Sequence, residues 1–183
     1  MNNSLKMILV LVAVSLVSGA ALVFVYNYAQ PQIVANQEKQ LKEAIFKVLP
    51  NAKTYETIKK DGEEIYIGKN AKDKVVGYAF LAKGSGYQGE ILIIAGLEPG
   101  LDKIIGIEVL ESVETPGLGG MIQSDDFKGA FKSLSTTPKI NLVKRTPEQP
   151  NEVQAITGAT VSSKAVLNIL NEKIAVVKKL LNL

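Results

Sequence analysis

The chain has 183 residues, with 21 lysines and arginines set against 18 acidic residues, and its formal charge of +3 is mixed along the sequence. No basic stripe marks a nucleic-acid partner. Cysteine and histidine are both absent, which excludes thiolate-held iron–sulfur clusters, Cys/His zinc sites, haem on His or Cys, disulfides and the common hydrolase triads. A redox role would have to rest on an organic cofactor.

From Met7 to Tyr28 the sequence reads MILVLVAVSLVSGAALVFVYNY and carries no charge. At ~1.5 Å per residue it covers the ~30 Å hydrocarbon core of a bilayer. Ser18-Gly19-Ala20-Ala21 would suit a signal peptidase, but the apolar run continues through Val25, beyond the ~7–15 residues of a secretory apolar region. The segment therefore reads as a retained anchor. Lys6 precedes it, and Tyr26 and Tyr28 stand at its far end, so the positive-inside tendency puts the N-terminus in the cytoplasm and the remainder outside. This divides the chain into an anchor, 1–30, and an extracytoplasmic domain, 31–183.

After Pro31, the shared face of Ile33, Gln37, Leu41, Ile45 and Val48 or Leu49 predicts a helix leaving the membrane and stopping before Pro50. Four β-rich runs follow at 63–68, 74–84, 89–97 and 103–112, each bounded by turn residues and spaced for hairpins. Ser124 can cap a short helix starting at Asp125-Asp126, with Phe127, Ala130, Phe131 and Leu134 inward. Short strands are expected at 140–144 and 152–156. A last helix from about Thr160 carries Val166, Ile169, Leu170, Ile174, Val177, Leu180 and Leu181 at helical spacing. The class is α+β: an antiparallel sheet with packed helices, on one N-terminal transmembrane helix.

Two stretches can carry chemistry. In AITGATVSSKAV, from Ala155 to Val166, Thr157-Gly158-Ala159 makes a tight connection, and Thr160, Ser162 and Ser163 occupy the first turn of the last helix. Unpaired N–H groups and the helix dipole at such a start favour phosphate. By residue type alone a capped helix on a glycine turn is the favoured reading. In ETPGLGG, from Glu114 to Gly120, Pro116 fixes φ, the glycines permit close backbone approach, and Leu118 projects as a lone apolar group.

The order of residues adds a resemblance. TGAT followed by Ser-Ser resembles the attachment motif of the FMN-binding domain in the G subunits of Rnf-type electron transport complexes, and in the related C subunits of sodium-pumping NADH:quinone oxidoreductases. The resemblance implies FMN held through its phosphate on the hydroxyl of Thr160, with Thr157, Gly158, Ala159, Val161, Ser162 and Ser163 around it. ETPGLGG is similar to the family's segment beside the isoalloxazine ring, which makes Glu114, Thr115, Pro116, Gly117, Leu118 and Gly119 candidates for the ring pocket. Tyr87, in GSGYQGEI, is either a ring neighbour or a strand-end aromatic. The acidic residue that often stands three positions before the motif is Gln154 here, with Glu152 nearby.

The resemblance implies a flavoprotein subunit of an ion-translocating ferredoxin:NAD oxidoreductase, an electron-transfer component and not a complete enzyme. It would sit in the inner (plasma) membrane, with other Rnf subunits as partners and a flavin transferase during maturation. The short chain favours the Rnf G subunits over the C subunits of the sodium pumps. The rival readings are a free-standing extracytoplasmic flavin carrier and a non-redox, membrane-anchored binding module.

Overall fold

The computed structural model describes residues 3–181. Its first element, α1, runs unbroken from Asn3 to Val48 with Pro31 inside it, where two separate helices were expected. Proline removes its own N–H and crowds the carbonyl four residues back, but each further helical residue adds a hydrogen bond once a helix is under way. Apolar residues before Pro31 and the helix-forming NQEKQLKEAIFKV after it carry the helix through.

The chain divides into two compact units, one ending at Gln40 and one starting at Leu41. In the first, no residue from Asn3 to Gln40 is buried. Its apolar surface fits a bilayer, and α1 is long and apolar enough to cross one.

The second unit is built on a six-stranded antiparallel sheet whose spatial order follows the chain: β1 (Thr54–Lys60), β2 (Glu63–Lys69), β3 (Val75–Ser85), β4 (Glu90–Leu97), β5 (Lys103–Ser112) and β6 (Leu134–Ser135). The four expected strands are β2 to β5. β1 was not anticipated; it joins β2 through Asp61-Gly62, both at positive φ (52° and 82°), the two-residue turn whose twist matches a hairpin. After β5 come a 3₁₀ turn at Gly119–Gln123 and the short α2 (Asp125–Gly129), where Ser124 Oγ accepts from Phe127 N as its N-cap. Phe127 and Phe131 are buried, but Ala130 is exposed, because the helix ends before that face turns inward. β7 (Asn141–Val143) and β8 (Glu152–Gln154) form a separate parallel pair, and α3 (Thr160–Leu180) closes the chain.

Both faces of the sheet are covered, which explains why β4 is buried almost continuously. On one face Val166, Leu167, Leu170, Ile174 and Val177 of α3 pack with Ile65, Phe80, Ile91 and Ile93. On the other, Ala44, Ile45, Val48 and Leu49 pack with Tyr66, Ala79 and Ile94. Glycine lets this second layer in. Gly68 pairs with Gly77 across the β2–β3 ladder, and a Cβ on either would lie 2.7 Å from a Leu49 methyl. At the other end of α3, Lys60 Nζ donates to the Leu180 carbonyl at 2.7 Å, placing a cation at the negative end of the helix.

Candidate functional site

The start of α3 is shaped by its own serines. Gly158 sits at φ 81°, a conformation a side chain disfavours, and turns the chain from β8 into the helix. Ser163, fully buried, then ties the turn shut: its hydroxyl accepts from Ile156 N at 3.1 Å and donates to the Ala159 carbonyl at 2.9 Å. Thr160 becomes the first helical residue, and the N-cap is Ala159, which has no capping side chain. Nor is there an acidic residue in the first turn. Among the described residues, the N–H groups of Thr160, Val161 and Ser162 have no protein acceptor. A helix of this length with an uncapped start presents donors and a partial positive charge. Ser124 meets the same need on α2; α3 leaves it unmet.

Ser162 points elsewhere. Its hydroxyl donates to Glu114 Oε2 at 2.6 Å, while Glu114 Oε1 accepts from Tyr87 N at 2.6 Å and Gln88 N at 3.0 Å. Glu114 is only 6 % exposed. Burial works to raise its pKa, but the hydrogen bonds from Ser162, Gln88 and Tyr87 prevail and hold the carboxyl below the usual glutamate range. Beyond it the chain turns sharply: the Thr115 carbonyl accepts from Leu118 N at 3.2 Å and Gly120 N at 2.9 Å. Gly117 adopts φ 75° in this turn. Leu118 is thrown outward, half exposed, and comes within 3.4 Å of where a Cβ on Gly158 would stand.

These segments enclose one cavity of about 450 Å³, lined by Tyr87, Glu114, Thr115, Leu118, Gly119, Gly158, Ala159, Thr160, Val161 and Ser162. That volume lies within the ~300–1,000 Å³ of small-molecule sites. Of the residues expected from sequence, Pro116, Gly117, Thr157 and Ser163 lie outside the lining. Ser162 and Ser163 both commit their hydroxyls to the protein, one to Glu114 and one to the turn, whereas the Thr160 hydroxyl makes no hydrogen bond among the described residues. Thr160 also borders a second cavity, of about 370 Å³, that carries Lys139, Lys144 and Lys164. Sequence reasoning passed over these lysines. Lys164, four residues after Thr160 and so on the same side of the helix, was the available signal.

A family model described as an FMN-binding domain matches residues 86–175, the stretch that holds both loops and the start of α3. The chain is 34 % identical over 177 residues to the G subunit of the ion-translocating oxidoreductase complex of Methanosarcina acetivorans, covering 92 % of each chain. It is 37 % identical over 196 residues to the G subunit of the Na(+)-translocating ferredoxin:NAD(+) oxidoreductase complex of Acetobacterium woodii, covering 96 % of this chain and 92 % of that one. The chain belongs to the family of G subunits of ion-translocating oxidoreductase complexes. Among solved structures, Shewanella oneidensis NqrC superposes with a TM-score of 0.57 at 20 % identity, over 69 % of this chain and 66 % of that chain. At that identity the likeness speaks for the fold.

Proposed function

We propose that this chain is the membrane-anchored flavoprotein subunit of an ion-translocating ferredoxin:NAD oxidoreductase complex, and that its FMN is esterified through the phosphate to Thr160. The observation that carries this reading is the Thr160 hydroxyl, without a hydrogen bond among the described residues, at an uncapped helix start on the wall of a cavity that Tyr87, Leu118 and Val161 also line. The residues present fit the group. Gly158, at φ 81°, turns the chain at the cavity wall without a side chain, and Tyr87, Leu118 and Val161 offer apolar contact. The N–H groups of Thr160 to Ser162 would donate to the phosphate oxygens, with ~0.3–1 kcal/mol from the helix dipole. Lys144 and Lys164 lie toward the second cavity on the same side. FMN, when bound, supplies the electron-transfer chemistry that side chains lack, while the protein binds and orients it.

The unit from 31 onward lies outside the cytoplasm with the N-terminus inside, a flavin transferase installs the cofactor, and the electron partners are other subunits of the complex. Co-expression with a flavin transferase tests the attachment. Wild-type protein should gain the mass of FMN less one water, with fragmentation placing it on the peptide containing TGAT. Thr160→Ala should abolish the gain and leave the fold intact, while Thr157→Ala should reduce it in part. An adduct that survives in Thr160→Ala would move the attachment point; no adduct on any variant would end the reading of a covalently held FMN.

A further inference from the structure

We infer that Glu114 is a positioning residue of this site: its buried carboxylate locks the 86–89 loop to the first turn of α3, and so fixes where Thr160 stands relative to Tyr87 and Leu118. This rests on the proposed flavin role for the cavity, but its structural basis is independent of the cofactor.

A carboxylate is a costly group for the position. Taking a lone ionised group out of water costs several kcal/mol unless it is compensated. No lysine or arginine among the described residues pairs with Glu114; its compensation is three donors, two of them backbone N–H groups. The donors come from separate places, Tyr87 and Gln88 on the β3–β4 connection and Ser162 on α3. Glu114, at the head of its own loop, hydrogen-bonds to both.

The surroundings are cleared for it. A Cβ on Gly86 would overlap Glu114 Oε1, and one on Gly119 would overlap Oε2 and stand 2.6 Å from Ser162 Oγ. Glycine is needed at both positions because the carboxylate occupies the space. Glu114 also lines the cavity. A negative charge opposes adding electrons to a nearby group, so Glu114 would lower the potential of a flavin held there.

The test uses full-length protein co-expressed with a flavin transferase, as wild type, Glu114→Ala, Glu114→Gln and Ser162→Ala. Glutamine keeps the shape, accepts from Tyr87 and Gln88, and can donate to Ser162, but it carries no charge. Glu114→Ala should lower the attached fraction at least about fivefold, the effect of leaving buried donors without an acceptor. Glu114→Gln should restore attachment to within about twofold of wild type and raise the flavin midpoint potential. Ser162→Ala, which keeps the charge, should leave the potential at or below the wild-type value. Without flavin, amide exchange at Tyr87 and Gln88 should quicken in Glu114→Ala and recover in Glu114→Gln; should Glu114→Ala fail to fold, the two milder variants carry the same contrasts. Unchanged attachment, exchange and potential across the series would overturn the inference, as would a glutamine variant as impaired as the alanine one. Wild-type protein that gains no flavin would instead defeat the proposed function, and the exchange contrast would still decide the clamp.

Discussion

The chain's two long helices are both rich in aliphatic side chains, yet they dispose of them differently. From Asn3 to Gln40, α1 leaves every residue at least partly exposed, with Leu16, Val17, Leu22 and Phe24 each about 70 % accessible or slightly more. α3 buries Val166, Leu170, Ile174 and Val177 against the sheet and turns Lys164, Glu172 and Lys178 outward. An apolar surface needs a partner. α3 has one within the chain and keeps its apolar residues to a stripe, whereas those of the first part of α1 run all round the helix, a surface that fits a bilayer.

The sharpest way to break that contrast is to remove the residues before Gln32. The shortened chain should move from the membrane fraction to the soluble fraction almost entirely and keep a cooperative melt, read by sedimentation and circular dichroism. A chain that stays with membranes would assign the anchoring to the folded unit. Next in size is a pair of matched truncations. Leu49→Ala, at a site 1 % exposed beneath the glycine row, should lower stability by ~2–5 kcal/mol. Leu16→Ala, 69 % exposed, should leave the melting temperature of the folded unit unchanged.

Ser163→Ala should cost ~1–3 kcal/mol, because it leaves the Ile156 N–H without its acceptor. Equilibrium unfolding in urea measures this, and a value near zero would show that the turn closes without the hydroxyl. A smaller effect is expected with acid. The Glu114 carboxyl is held below its ordinary value, so its contribution is fully present above the unfolded glutamate pKa of ~4.3 and is lost as pH falls through the lower folded value. Wild type should therefore lose stability below that point more steeply than Glu114→Gln. The least effect belongs to the Lys173–Glu63 ion pair on the rim of α3. Both groups are partly solvated, and Lys173→Ala should cost no more than ~1 kcal/mol.

Much of this architecture was legible. The runs from Glu63 to Ser112 alternate or stay apolar between turn residues, and β2 to β5 fall on them. β1 escaped because TYETIKK is charged and mostly exposed; Asp61-Gly62 between two short runs was the overlooked hairpin signal. The continuity of α1 was hidden by giving Pro31 the weight of a full stop. At the site, motif order pointed to the residues that line the cavity, but not to how they are held. Glu114 meets Tyr87 across 27 positions and Ser162 across 48, and no spacing rule reaches so far. Ser162 and Ser163 were expected around the cofactor from the motif, yet their hydroxyls are turned to the protein, a matter of rotamer and burial that sequence does not carry.

The sheet's margins carry one more consequence. β1, the outer strand on one side, bears Glu56, Lys59 and Lys60 along an exposed edge, and β6 on the other side has only two residues. An unpaired strand edge is a template for pairing with a second copy of the same edge. The charged side chains along β1 deny that template, so the folded unit resists edge-to-edge pairing through β1 even where copies are crowded.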